Sequence, residues 1–162
     1  MASIRTKEKS GTQPPPIQYF NELFRVSKNQ IIWGANYFTP KLPASMGWIF
    51  WDKQNGASDF SDGELAFTSF DRALRICKQH LSKDRSERFH PTQKPIYLYR
   101  FCLENYAKPN DKILDTHLGS GSIAIACHDY GYDLTACELD KDYFDKAMTR
   151  ISNHTAQGNL FT

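Results

Sequence analysis

Residues 115–122 read DTHLGSGS, between the short predicted strand KILD (112–115) and the predicted helix GSIAIACHDYGY (121–132). Glycine at the end of a parallel strand lets the backbone turn sharply and lets a ligand approach without a Cβ in the way. The amides at the start of the next helix then face that ligand. Nucleotides bind at such turns in doubly wound sheets. The stretch therefore predicts a parallel α/β unit with a nucleotide-type site at the carboxyl end of a strand.

Two acids indicate which kind of ligand this turn would hold. The pattern is DxxxGSGS rather than GxGxxG, and Asp115 would repel a pyrophosphate but attract an ammonium group. A second predicted strand lies within DLTACELD (133–140) and ends at Glu138, where a carboxylate can accept hydrogen bonds from ribose hydroxyls. A nucleoside with a cationic amino-acid tail satisfies both acids, which describes S-adenosylmethionine (SAM). An ordinary glycine-rich turn beside a surface glutamate stays open as the alternative.

The flanking sequence predicts further elements of an α/β chain. Residues 1–16, which include three consecutive prolines, read as a flexible tail, and residues 71–89 read as an exposed basic loop. The last helix, KDYFDKAMTRISNH (141–154), is predicted to place Tyr143, Phe144, Ala147, Met148 and Ile151 on one face. The other predicted elements are a helix over 17–26, a buried strand IIW ending at Gly34, a hairpin-like pair over 47–53 and 63–70, and a helix opened by Pro95.

Composition bounds the class of protein. The chain has 162 residues, of which 40% are apolar and 14% aromatic, as expected for one globular domain. No apolar run is long enough to span a membrane, and the first residues lack the apolar core of a secretory signal. The four cysteines show no CxxC spacing, and three of them lie in apolar runs, so the sequence predicts buried, reduced thiols. These features predict a cytoplasmic protein, and the five histidines lack a metal-ligand spacing.

Charge is distributed unevenly along the chain. Residues 71–100 carry 8 basic and 3 acidic side chains, a net charge of +5, whereas residues 101–162 carry 5 and 9, a net charge of −4. A basic segment beside an acidic one fits a polyanionic partner. An ordinary solvated surface would give the same pattern, so charge alone leaves both interpretations open.

Three segments together resemble the DNA amino-methyltransferases that form N6-methyladenine or N4-methylcytosine. They are RFHPTQKP (88–95), ILDTHLGSGSIAIAC (113–127) and LTACELDKDYFDKAMTRI (134–151). The HPTQKP segment precedes the glycine-rich segment, an order that resembles the circularly permuted β class of this family. NELFRVSKNQIIWGANYF (21–38) and GWIFWDKQNG (47–56) are also similar to its small phage and bacterial members.

The resemblance implies a fold, a cofactor and a set of site residues. The fold is a three-layer α/β SAM-dependent methyltransferase (Rossmann-like) sheet, with 17–162 as a single domain. Within it, 17–70 would form the target-side half and 90–155 the SAM-binding half. Double-stranded DNA would contact the basic segment 71–100. The residues implied to hold SAM are Asp115, Gly119, Ser120, Gly121 and Glu138, with Thr92, Gln93 and Lys94 closing over its methionine end and His117 lining the pocket.

The catalytic element of this family, a DPPY-type tetrapeptide on a buried strand, does not appear in the sequence. Gln13 to Pro16 is a poor substitute, because proline has no ring face to stack on a flipped base. The catalytic residues are therefore unknown, and the resemblance implies a sheet truncated on the N-terminal side that lacks the DPPY strand. The missing strand would leave unpaired strand edges. A second copy or a complementing chain, the tail, or a rearranged sheet could fill that place, and the alternative is that this chain is a fragment of a longer gene product.

Three functions stay open from the sequence. The first is SAM-dependent methyl transfer to an exocyclic amino group of a flipped base, with residues 34–38 (GANYF) bordering the base pocket. The second is a catalytically inert, truncated relative that still binds SAM or DNA. The third is a nucleotide-binding Rossmann protein of another class. The tryptophans are predicted to pack in the core, with base stacking as the alternative.

Overall fold

The structure, a computed structural model, describes residues 14–55, 59, 61–78 and 88–158. The chain divides into two compact units, one made of residues 1–50 and 64–76, the other of residues 51–63 and 77–162. The helices and strands are α1 (Ile17–Val26), β1 (Ile31–Trp33), β2 (Trp48–Asp52), β3 (Gly63–Thr68), β4 (Arg75–Lys78), α2 (Ile96–Tyr106), β5 (Lys112–Asp115), α3 (Ser122–Tyr130), β6 (Asp133–Ala136) and α4 (Lys141–Gly158).

The first four strands form one sheet with the order β1-β3-β2-β4. β1 and β3 are antiparallel, with Ile32 opposite Phe67. β2 and β3 are neighbours, so the predicted hairpin-like pairing is confirmed. Strand β4 differs from the prediction, since it lies in the segment 71–89 that was expected to form a loop. In β4 only Cys77 is buried, so charged and exposed neighbours hide the strand pattern in the sequence.

Helix α1 packs by aromatic contacts, as its amphipathic pattern predicts. Phe20 is fully buried, and its ring centroid lies 5.5 Å from that of Phe38. Phe24 meets Phe67 of β3 edge-on at 6.2 Å. Burial of these large side chains supplies the hydrophobic free energy that holds the helix on the sheet.

β5, α3 and β6 form the parallel βαβ unit that the glycine-rich stretch predicts. β5 and β6 pair in parallel, with Asp115 opposite Ala136. α3 ends at Tyr130 and is capped by Gly131, which has a left-handed backbone with φ of 71°. Beneath the strands lies a core cluster made of Leu103, Ala126 and Cys127, with Ile113 and Leu134 packed against it.

Helix α4 buries a narrower face than its sequence pattern predicts. Ala147 is fully buried, and Tyr143 and Ile151 are half-buried. Phe144 and Met148, predicted on the same face, are 41% and 43% exposed. The helix therefore packs through Tyr143, Ala147 and Ile151, which face the glycine-rich turn. Phe144 and Met148 stay exposed among the described residues.

A polar cluster joins α2, α3 and α4 at one end. Arg100 Nη2 donates to Asp129 Oδ2 at 2.6 Å, and His154 Nε2 lies 2.7 Å from Asp129 Oδ1. Asp129, in the last turn of α3, thus forms an ion pair with Arg100 of α2. Within the described ranges, no group of three His, Cys, Asp or Glu residues is placed to hold a metal ion.

The cysteines are free, and three of them, Cys77, Cys102 and Cys127, are buried as predicted. Burial raises the pKa of the Cys77 and Cys127 thiols to about 11. Cys137 is exposed. In the part of the chain that the structure describes, no helix is both long and apolar enough to cross a membrane.

Two of the tryptophans serve packing, as predicted. Trp51 is buried, and its indole N–H donates to the Tyr97 hydroxyl at 3.1 Å. Trp48 is half-buried and donates to the carbonyl of Ser45 at 3.0 Å. An indole that packs inside the protein and whose N–H is already hydrogen-bonded there is poorly placed to stack on a nucleic-acid base.

Candidate cofactor site

The turn between β5 and α3 depends on two glycines with left-handed backbones. Gly119 has φ of 54° and Gly121 has φ of 76°, values that other residues adopt only with strain. The Leu118 N–H donates to the Cys137 carbonyl at 2.9 Å, and the Gly121 N–H donates to the Leu118 carbonyl at 3.0 Å. The turn is therefore bound to the segment after β6 while it bends into α3.

Asp115 lies at the end of β5, half-buried at the mouth of this turn. Its Oδ1 accepts the His117 N–H at 2.9 Å, and its Oδ2 accepts no hydrogen bond from the described residues. Burial raises the pKa of the Asp115 carboxyl, an effect that the His117 amide and the nearby charges of His117 and Lys94 partly oppose. A carboxylate whose charge is disfavoured by burial would be stabilised by a cationic ligand.

Glu138 links the turns that follow the two parallel strands. Its Oε2 accepts the Gly119 N–H at 2.8 Å, and its Oε1 accepts the Asp140 N–H at 3.0 Å. β6 ends at Ala136, so Glu138 follows the strand instead of ending it as predicted. A carboxylate has about four acceptor positions, so two backbone bonds leave room for ribose hydroxyls.

The HPTQKP segment lies beside the glycine-rich turn through His90. A Cβ on Gly119 would lie 3.6 Å from His90 Cε1 and Nε2. The His90 ring also meets the Tyr143 ring of α4, with centroids 4.4 Å apart. Burial lowers the pKa of His90, and the charges of Glu138 and Asp140 partly oppose that shift. The segment and the turn therefore form one cluster.

The predicted ligands within HPTQKP differ in their exposure. Gln93 is buried, and its side-chain oxygen accepts the Phe89 N–H at 3.4 Å, so it shapes the loop from inside. Thr92 is exposed and lies 3.3 Å from His90 Nδ1 through its hydroxyl. Lys94 is half-buried. Their contact with a cofactor stays a prediction, as does that of the exposed His117, whose Nδ1 lies 3.0 Å from the Thr116 hydroxyl.

Two residues in or next to this cluster in the sequence were not predicted. His90 belongs to the quoted HPTQKP segment, yet the resemblance assigned only the residues after it. Leu139 follows Glu138 directly, and its side chain is fully exposed. The only signal for Leu139 in the sequence is its place as an apolar residue between two acids, Glu138 and Asp140.

Comparison with known proteins identifies the family. The family model described as DNA methylase matches residues 25–149. The chain belongs to the DNA methylase family. Among solved structures, that of M1.HpyAVI with SAM is similar over 85% of each chain, with a TM-score of 0.63 and 21% identity. A second structure of M1.HpyAVI is similar over 85% of this chain and 83% of that chain, with a TM-score of 0.61 and 19% identity. The Rossmann-like methyltransferase fold predicted from the resemblance is thus confirmed.

Curated relatives match shorter stretches of this DNA methylase chain. It is 32% identical over 69 residues to the type II methyltransferase M2.LlaDCHI of Lactococcus lactis subsp. cremoris, covering 43% of this chain and 26% of that protein. It is 28% identical over 81 residues to the type II methyltransferase M.HinfI of Haemophilus influenzae, covering 49% and 23%. The chain thus spans about a quarter of the length of these relatives.

The described residues fit the SAM that the family implies. The half-buried Asp115 has an oxygen open to an ammonium group, and Glu138 has acceptor capacity left for ribose hydroxyls. The turn between them has Gly119 and Gly121, with His90 beside Gly119. A cationic amino-acid group and a ribose would therefore meet suitable partners on either side of the turn.

Proposed function

We propose that this chain forms the SAM-binding part of a DNA methyltransferase that modifies the exocyclic amino group of adenine or cytosine. The observation that carries the proposal is the convergence of Asp115, Glu138 and the left-handed glycine turn, within a chain of the DNA methylase family. When bound, SAM would supply an activated methyl group on its sulfonium. The chain's own residues would bind and orient it: Asp115 would hold the ammonium and Glu138 the ribose.

The test of cofactor binding is calorimetry with S-adenosylhomocysteine, the product of methyl transfer. The chain is expected to bind it and to bind NAD more weakly. Glu138→Ala is expected to weaken binding by about 1–3 kcal/mol, because charge-assisted hydrogen bonds to the ribose are lost. Asp142→Ala, an exposed acid near the start of α4, is the control and should bind as the wild type does. Tight NAD binding without a response to S-adenosylhomocysteine would overturn the proposal.

Double-stranded DNA is the proposed substrate, and residues 71–100 are proposed to contact its phosphates. In this segment Arg75, Lys78 and Arg88 are exposed. Exposed cations that contact phosphates release counterions, so DNA binding should weaken steeply as salt rises. Tyr37 of the GANYF segment (34–38) is 78% exposed, and we propose that it borders the target base.

A second candidate function is an inert module that binds SAM or DNA without transferring a methyl group. The absence of a DPPY segment from the sequence favours it. Incorporation of a tritiated methyl group into mixed-sequence DNA by the purified chain separates the two functions. Incorporation above background would refute the inert module.

We further propose that an extended strand from a second polypeptide, carrying the DPPY element, pairs with β5. Among the described residues β5 pairs with β6 alone, and Leu114 of β5 is 42% exposed. The backbone groups of a strand edge that pairs with no described strand can accept an added strand, and side chains of that strand would cover part of the exposed Leu114.

The test of this partner is methyl transfer by the chain with and without a DPPY-bearing peptide. Activity should appear only with the peptide, and Leu114→Asp should abolish it while S-adenosylhomocysteine still binds. Sedimentation of the chain alone tests whether a second copy of the chain occupies this edge instead. A dimer that Leu114→Asp dissociates would mean that it does.

A further inference from the structure

Helix α4 contacts the proposed cofactor site from outside at successive turns. Tyr143 meets the ring of His90, with centroids 4.4 Å apart. Further along the helix, Ile151 and Ala147 lie against Gly121, where an added Cβ would come within 3.0 Å of Ile151 Cδ1. Because residues three and four apart share a helix face, Arg150 comes from the same side as Ala147.

Arg150 bridges the two sides of Gly121. Its Nη1 donates to the Ser120 carbonyl at 3.0 Å and to the Ser122 hydroxyl at 2.8 Å, and lies 3.4 Å from the Ser120 hydroxyl. Ser120 and Ser122 are buried. One guanidinium nitrogen therefore holds the residue before and the residue after a left-handed glycine.

The position of this cation calls for a physical reason. Arg150 lies at the amino end of α3, where the helix dipole disfavours positive charge. Its hydrogen bonds to a buried carbonyl and hydroxyl must offset that cost. A turn with two glycines also has more conformational freedom than other turns, so its amides keep one orientation only under outside restraint.

We propose that Arg150 is a positioning residue for the cofactor, which fixes the glycine-rich turn in the shape that binds SAM. It acts through Ser120 and Ser122. The inference rests on the proposed function, namely that this turn binds SAM.

The test measures the affinity of the folded full chain for S-adenosylhomocysteine by calorimetry. Arg150→Met should weaken binding about tenfold or more, since the turn loses its charge-assisted hydrogen bonds. Arg150→Lys should retain affinity within about threefold, because the contacts to Ser120 and Ser122 named above go to one nitrogen and an ammonium carries three donors. Lys146→Met is the matched control, an exposed cation on the same helix, and should bind as the wild type does.

The unfolding midpoint of each variant separates positioning from stability. If Arg150 only stabilised the fold, Arg150→Met would lower the midpoint while the folded protein kept its affinity, and the inference would be overturned. Ser122→Ala provides a second route if Arg150→Met does not fold. It should weaken binding about threefold or more, and unchanged affinity would count against the inference. Where both variants fold, their combined effect should be smaller than the sum, because they remove the same bond.

The proposed function and this inference fail in different ways. A wild-type chain that binds S-adenosylhomocysteine, together with an Arg150→Met variant of equal affinity, refutes the positioning role and leaves the proposed function standing. A wild-type chain that does not bind the compound refutes both.

Discussion

Replacing Gly121 with alanine is expected to lower the free energy of unfolding by about 2–5 kcal/mol. Two costs add. The backbone at Gly121 has φ of 76°, which strains a residue with a Cβ, and the new Cβ would lie 3.0 Å from Ile151 Cδ1 and 3.2 Å from Ile151 Cγ1. Urea unfolding with an unchanged m-value measures the loss.

Gly131→Ala is the matched control for this prediction. Gly131 has φ of 71°, yet an added Cβ would meet nothing within 4 Å. Only the backbone cost applies there, so the expected loss is about 1–2 kcal/mol. In an Ile151→Val background the cost of Gly121→Ala should shrink, because the nearest methyl group is gone. Equal costs at Gly121 and Gly131 would mean that α4 does not press against the turn.

Asp115→Asn is expected to weaken binding of S-adenosylhomocysteine by about tenfold to a hundredfold, through loss of the charge that attracts its ammonium group. The same change should stabilise the ligand-free chain at neutral pH. Asparagine keeps an oxygen for the His117 N–H and removes a carboxylate whose ionisation is disfavoured by burial.

The stability effect should depend on pH in a defined direction. Burial raises the pKa of Asp115 above its unfolded value, so the folded state retains the proton longer. The contribution of the Asp115 carboxyl to the free energy of unfolding is therefore fully present below its unfolded pKa, and it is lost as pH rises through the folded pKa. The advantage of Asp115→Asn should accordingly grow from acidic to neutral pH, measured by urea unfolding across that range.

Asp133→Asn serves as the control for binding, since Asp133 is an exposed acid at the start of the paired strand β6. It should leave the affinity for S-adenosylhomocysteine unchanged. If Asp115→Asn binds S-adenosylhomocysteine as tightly as the wild type does, the ammonium lies elsewhere and the proposed site is misplaced.

Much of the local structure follows directly from the sequence. The helix over 17–26, the strand at 31–33 and the βαβ unit around DTHLGSGS appear where their periodicity and glycines place them. Strand β4 was missed, because its one buried residue, Cys77, gives no alternation that a four-residue window could reveal.

Part of the site was also predictable, and the remainder depended on packing. Asp115 and Glu138 were predicted from their places at strand ends, and the structure connects them through the glycine-rich turn and the Cys137 backbone. Nothing in the sequence indicated that Glu138 accepts the Gly119 amide or that His90 lies over that glycine. Those contacts join residues 19 or more positions apart, so no local pattern encodes them.

The sequence by itself determined the alternation of strands and helices, the glycine-rich turn and the two acids, because backbone preference and hydrophobic periodicity act between near neighbours. The tertiary structure alone decided that Arg150 of α4 holds Ser120 and Ser122, and that Phe144 and Met148 stay exposed. Which side chains meet across elements depends on how helices and strands pack in three dimensions, and one-dimensional spacing does not fix that.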